Sequence, residues 1–337
     1  MSVRKLPTLI VAAGLLVSLT SCAGGPFDRS ACSPVFPAGG NSALVTADGS
    51  FGGDPGANFP TPLVVKSTEV SVLITGVLST APNPSDPLEK GDAELVRAAQ
   101  VLDATATIYD GRTGASLITP SSARFAASDA TYLFGEVATC APVGSRVVAV
   151  GTAGELIGAE VLAANQGFAQ LDVDATVVVV LDIERAFLAK ANGADQLFAA
   201  SGFPSVVLDP SGRPGFTFPD GAIPTDLRIA NLKQGVGPVV AKGDSVVIHY
   251  TGMLWDAKVV FDSSWDRGVP STFLAESVDD AQGGLVPGFA QALIGQRVGS
   301  QVVVVIPPGF GYPAGGAPAS IPDGSTMVFV FDVLGIE

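Results

Sequence analysis

The segment VGSRVVAV, starting at Val143, returns as VGSQVVVV starting at Val298. Three more pairs follow the same order. GDPGANFP (Gly53 to Pro60) matches GRPGFTFP (Gly212 to Pro219), EKGD ending at Asp92 matches AKGD ending at Asp244, and LDVDATVVVVLDI from Leu171 matches IPDGSTMVFVFDV from Ile321. All four offsets fall between 150 and 159 residues. Matches in one order at a near-constant offset are what a duplicated domain leaves behind, and each copy is long enough for its own core. The expectation is two copies of one fold.

The repeated runs are rich in valine and bounded by glycine and proline, which favours strands joined by turns. Composition agrees: 47% of the residues are hydrophobic and only 15% charged, with 40 Gly and 25 Pro. The net charge of −14 disfavours nucleic acid and docking on anionic lipid through a basic patch. No Walker-type, zinc-protease or nucleophile-elbow motif is present, and the single histidine leaves a zinc site short of ligands. No metal and no cofactor are expected.

Between Pro307 and Gly324 lies PPGFGYPAGGAPASIPDG, a stretch with a linker's composition set between two strand-like runs. In VVIHYTGML (Val246 to Leu254), alternation puts Val246, Ile248, Tyr250 and Leu254 on one face and His249 and Thr251 on the other. His249 is read as structural. In VVFDSSWDRG (Val259 to Gly268), Asp262 and Arg267 are either an ion pair at a pocket wall or part of a solvated turn. GGLVPGFAQAL (Gly283 to Leu293) reads as a short helix opened by Pro287, with Phe289, Ala292 and Leu293 on one side.

Taken in order, VVIHYTGML, FDSSWDRG, GGLVPGFAQAL, VGSQVVVVIPPGFGY and IPDGSTMVFVFDV resemble FKBP-type peptidyl-prolyl cis-trans isomerases, the macrolide-binding class, over about Leu227 to Glu337. The resemblance implies an α+β fold, a bent antiparallel sheet wrapped around one short helix, with the pocket between them. It implies Tyr250, Phe261, Asp262, Tyr312 and Phe329 as catalytic residues, and Arg267, Leu285, Val286, Phe289 and Ile321 as substrate-binding ones. Arg267 would orient Asp262, and the loop around Tyr312 would cross the pocket. Three positions depart from the family pattern: Ser271 where an aromatic is common, Ala317 where a loop histidine is common, and Ser320 in place of an aliphatic residue. Proline-containing segments of exported proteins and macrolide-type ligands are the implied partners.

The first copy has LDATAT (Leu102 to Thr107) where the second has IHYTG, no FDSS, no loop tyrosine, and about Val179 where Phe329 stands, while Phe134 keeps the place of Phe289. It is expected to fold without an aromatic pocket.

At the N-terminus, Arg4 and Lys5 precede the apolar run Leu6 to Leu19, and LTSC ending at Cys22 resembles a bacterial lipobox. An ordinary signal peptide with an incidental cysteine is the alternative. The lipobox reading implies lipid on Cys22 and an extracytoplasmic protein anchored to the cell membrane. Cys32 and Cys140 then either pair or stay separate thiols. The expected organisation is a leader over 1–21, a flexible spacer over 22–60, a degenerate FKBP-like domain over 61–190, a linker over 191–226, and the isomerase domain over 227–337. A non-catalytic or weakly catalytic peptide-binding module is the rival function.

Overall fold

The computed structural model describes residues 32–74, 95–97, 100–127, 133–197 and 202–337. The leader, Cys22 and EKGD lie outside them, and so does the Phe134 side chain.

Two antiparallel sheets dominate. The N-terminal part contains β1 (Thr46–Ala47), β2 (Ala57–Asn58), β3 (Glu69–Ile74), β4 (Val101–Asp110), β5 (Ser116–Ala126), β6 (Arg146–Thr152), the short helices α1 (Ala153–Leu156) and α2 (Ala159–Ala164), and β7 (Thr176–Phe187). Then come β8 (Ala194–Asp195), β9 (Ser205–Leu208), β10 (Pro214–Thr217), β11 (Arg228–Gln234), β12 (Ser245–Leu254), β13 (Val260–Ser263), β14 (Ser271–Leu274), α3 (Pro287–Leu293), β15 (Gln301–Ile306) and β16 (Met327–Ile336). The first sheet has the order β3-β6-β7-β4-β5; the second runs β13-β12-β16-β15-β11-β8, with β14 also on β12.

Corresponding strands occupy corresponding places. β7 and β16 are central and buried on both faces, so their sequences are near-continuous apolar runs rather than alternating ones. The cross-strand registers agree as well. Arg146 pairs with Asp182 as Gln301 pairs with Asp332, and Ala149 with Val179 as Val304 with Phe329. On the other side, Thr105 and Ala106 meet Asp182 and Leu181 as His249 and Tyr250 meet Asp332 and Phe331. The glycine of each VGS turn, Gly144 and Gly299, has φ of 81° and 92°, a left-handed conformation that glycine adopts without cost to a side chain.

Where the second sheet has α3, the first has a 3-10 turn, Leu133–Ala138. The short helix expected in both copies is therefore an α-helix only in the second. In α3, Pro287 at the first turn suits a proline's fixed φ, and Phe289, Ala292 and Leu293 are buried against the sheet.

The segments read as a spacer and a linker are not loose where they are described. Val45, Ala47, Phe59, Leu63 and Val65 pack on Val148, Val150, Val178 and Val180, the outer face of the first sheet. Phe203, Val206, Phe216, Phe218 and Ile223 pack in the same way on Val303, Val305, Val328, Val330 and Trp255 of the second. Phe59 meets Tyr109 edge-on at 6.2 Å, and Phe218 meets Trp255 edge-on at 5.0 Å. The matching GDPGANFP and GRPGFTFP segments thus belong to small hairpins that cover each sheet's outer face. Their glycines and prolines shape the turns, while the few apolar residues among them supply the burial that a composition average conceals.

A buried polar cluster ties the first of these hairpins down. The fully buried Arg146 forks onto Asp182 at 2.6 and 2.7 Å and donates to the carbonyls of Ala47, Gly49 and Ser50. Asp182 also accepts from Gly52 N–H. In the second unit Asp332 takes the N–H of Ala191 at 2.8 Å and the Gln301 amide at 2.7 Å. Cys32 and Cys140 form a disulfide with Cα atoms 5.7 Å apart, resolving the alternative that the sequence left open.

Candidate active site

The site is built on the inner face of the second sheet. Alternation along β12 turns Tyr250 inward, and its cross-strand partner on β16 is Phe331; Phe329 lies opposite Gly252. Phe289 from α3 closes the floor. Its ring meets Phe329 edge-on at 4.9 Å and stacks on Phe331 at 4.8 Å. Phe261 on β13 meets Phe329 edge-on at 5.4 Å, and Tyr250 lies 6.4 Å from Phe329. Val286 and Ile321 are buried in the same cluster, with Leu285 and Tyr312 packed against it. All the residues proposed for the pocket therefore gather in one place.

Asp262 and Arg267 resolve to an ion pair at 2.5 Å rather than a solvated turn. The Tyr250 hydroxyl donates to the other Asp262 oxygen, and Arg267 Nη2 donates to that hydroxyl at 3.0 Å and to Ser271 Oγ at 3.1 Å. Side-chain exposures of 41% for Asp262 and 45% for Arg267 put the pair at the mouth, not the floor. Burial raises the Tyr250 hydroxyl above its ordinary pKa, with the bond to Asp262 adding to it. Burial would lower Arg267, but its bonds to Tyr250 and Asp262 outweigh that and raise it. Both groups keep their protons through the neutral range. Tyr312 is raised by burial and by the Asp262 charge.

The loop from Pro307 to Gly324 is shaped by local turns. The 3-10 turn Pro308–Phe310 follows β15 directly, and the Ile321 N–H bonds the Pro318 carbonyl at 2.8 Å. The loop brings Tyr312, Ala317 and Ile321 to the apolar cluster.

His249 lies on the opposite face, buried, with Nδ1 2.8 Å from Ser264 Oγ and its ring stacked on Trp265 at 3.9 Å. Burial and the Arg267 charge lower its pKa to about 4, so it is neutral and structural, as its face implied.

Three contributors escaped sequence reasoning. Phe331 is signalled by its two-residue spacing from Phe329 on β16. Phe273 meets Tyr250 edge-on at 5.5 Å; it lies on β14, whose register opposite Val246 and Ile248 could not be foreseen. Gly252 is the third. A Cβ there would stand 2.6 Å from Phe261 Cζ and 2.7 Å from Phe329 Cε1, so the two rings close over β12 only because this residue lacks a side chain.

The result is an apolar, ring-walled recess with one fixed carboxylate–guanidinium pair at its mouth. It can hold a small apolar ring and orient an adjoining polar chain. A family model for FKBP-type peptidyl-prolyl cis-trans isomerases matches residues 237–334. An FK506-binding protein of Streptomyces anulatus is 34% identical over 125 residues, which is 37% of this chain and 97% of that protein. The chain belongs to the FKBP-type peptidyl-prolyl cis-trans isomerase family. The FKBP-type 22 kDa isomerase of Escherichia coli is 41% identical over 110 residues, 33% of this chain and 50% of that protein. The crystal structure of AtFKBP13 aligns at 26% identity over 40% of this chain and 99% of that one, with a TM-score of 0.29. The family match falls within the second sheet's unit and contains every residue of the ring-walled recess.

The first sheet places other residues at the corresponding register positions: Ala106 for Tyr250, Val179 for Phe329 and Leu181 for Phe331. At these three positions it carries aliphatic residues and alanine where the second sheet has rings, while Phe125 and Phe168 enter its core elsewhere.

Proposed function

We propose that the chain isomerises X–Pro bonds in the recess walled by Tyr250, Phe261, Phe289 and Phe329, with Asp262 and Tyr312 acting on the peptide carbonyls. Convergence of these rings with the Asp262–Arg267–Tyr250 group carries this reading. The uncatalysed barrier, about 18–20 kcal/mol, is the loss of amide resonance. The twisted amide has less charge separation than the planar one, so an apolar recess disfavours the planar ground state relative to it. Catalysis is then differential binding of the twisted state, with the proline ring held between aromatic walls while the preceding carbonyl turns. The Tyr312 hydroxyl, without a hydrogen-bond partner among the described residues, is available to a ligand carbonyl. Leu285, Val286 and Ile321 supply the remaining apolar lining.

Proline-limited refolding and a peptide isomerisation assay test this on the full chain. Asp262→Val and Phe261→Ala should each lower kcat/KM at least about tenfold, the scale of one lost transition-state contact. Rates unchanged in both variants would overturn the assignment. Complete loss in a double variant would also support a silent first unit.

The first unit is a degenerate copy of the same fold on this reading. Its strand order, registers and hairpin cover support common descent, and the absence of rings at the positions of Tyr250, Phe329 and Phe331 supports silence. A binding role for it is the second reading. A cleft of ≈ 910 Å³ lies among Leu162, Phe168, Leu171 and Val173, beside Arg112 and Asp174. Clients would be proline-containing segments of exported proteins, and macrolides of the FK506 type would compete for the second unit's recess. Export with lipid on Cys22 is supported by the LTSC sequence, and the Cys32–Cys140 disulfide supports an oxidising compartment. Incorporation of labelled fatty acid that survives Cys22→Ser would refute the anchor.

A further inference from the structure

Arg124 lies on β5, and its register partner on β4 is Asp103. Its Nε and Nη2 fork onto the Asp103 carboxylate at 2.6 and 2.8 Å, which fixes the guanidinium plane. The remaining donors cross to the other unit. Nη1 reaches Thr272 Oγ1 and Nη2 reaches Glu337 Oε1, each at 2.5 Å, and Thr272 itself donates to Glu337 at 2.8 Å. The guanidinium also sits 4.9 Å over the Phe187 ring. Beside this hub Val101 and Phe187 pack on Val247 and Leu334. The approach is close enough that a Cβ on Gly335 would lie 2.4 Å from Phe187 Cδ1. The two units therefore meet through a shaped apolar contact with one arginine at its edge.

Thr272 is one residue of a four-residue strand. Its neighbours Ser271 and Phe273 turn to the opposite face, as strand alternation requires. Ser271 accepts from Arg267, and Phe273 packs edge-on against Tyr250. So β14 is held from outside by the first unit and itself holds, from inside, the two groups that fix Asp262.

We propose that Arg124 is a positioning residue for the isomerase site: by holding Thr272 it fixes β14, and through Ser271 and Phe273 it sets Arg267 and Tyr250. The first unit, which lacks an aromatic recess, then braces the active one. The proposal rests on the site reading given above.

The full chain tests it with Thr272→Val, which keeps the side chain's shape but removes the hydroxyl, Thr272→Ser, which keeps the hydroxyl, and Arg124→Met. Thr272→Val and Arg124→Met should each lower kcat/KM about three- to tenfold, mainly through kcat, the range of indirect coupling. Thr272→Ser should stay within about twofold of the parent chain, and the double variant Thr272→Val, Arg124→Met should be no slower than the worse single one. Should Arg124→Met fail to fold, the Thr272 pair carries the test. If Thr272→Val keeps the parent rate while Asp262→Val loses it, the brace is wrong and the site stands. If Asp262→Val and Phe261→Ala also keep it, both are overturned. Loss in Thr272→Val without recovery in Thr272→Ser means a packing effect and likewise overturns the brace.

Discussion

Two buried ionisable residues face each other in register on the outer side of the second sheet, and they respond to acid in opposite senses. His249 has a folded pKa of about 4, below its ordinary 6.5, through burial and the Arg267 charge. The unfolded chain therefore takes up a proton first, and stability from this group is lost as pH falls from 6.5 towards 4. Burial pushes Asp332 up from 3.8 to about 6, against the N–H of Ala191, the Gln301 amide and the charges of Lys233 and Lys190. Here the folded chain holds the proton more tightly, so the contribution is present below about pH 4 and lost as pH rises to 6. Each effect is on the order of 3 kcal/mol at about 1.4 kcal/mol per pKa unit, and over pH 4 to 6 they largely cancel. His249→Asn should uncover a gain in stability on acidification, and Asp332→Asn a steeper loss. Both tryptophans, Trp255 and Trp265, lie in the second unit, so urea unfolding followed by tryptophan fluorescence at pH 4.5 and 6.5 reads this unit alone.

Among the elements, β12 is the most constrained, because its two faces serve different neighbours. Its inner face carries the site, where Gly252 lets Phe261 and Phe329 approach. Gly252→Ala should displace both rings, cost about 1–3 kcal/mol, and lower isomerase activity more than the stability loss explains. Gly335→Ala on β16 should cost a similar amount by striking Phe187, and Phe187→Leu should recover part of it. Denaturant midpoints measured with activity at low temperature separate the two cases, since only Gly252 touches the recess.

For the whole molecule, the deepest polar anchor is Arg146. Arg146→Ala would leave Asp182 buried without its ion pair and strip the Ala47, Gly49 and Ser50 carbonyls of their donor. Breaking such a buried pair costs about 3–5 kcal/mol. The first unit should lose its β1–β2 hairpin, seen as fast hydrogen exchange over 46–58. The Arg124 contact makes a further consequence measurable, a lower tryptophan-detected midpoint for the second unit in the same variant.

The resemblance carried by β12, α3 and β16 was enough to set out the recess: Tyr250, Phe261, Phe289, Tyr312 and Phe329 assemble as the family resemblance implied. Alternation also assigned His249 to the outer face. The extent of each unit was not legible, because residues around Gly53 and Gly212 have a linker's composition and only the sheet beneath them shows which few side chains are buried. Phe273 and Gly252 depended on strand register, which turn lengths set in three dimensions. Arg124 is the extreme case. Nothing near it in sequence marks it, since its partners Thr272 and Glu337 lie 148 and 213 residues away and meet it only when the two sheets pack. Local pattern decides which face a side chain takes; what that face meets is decided by tertiary packing.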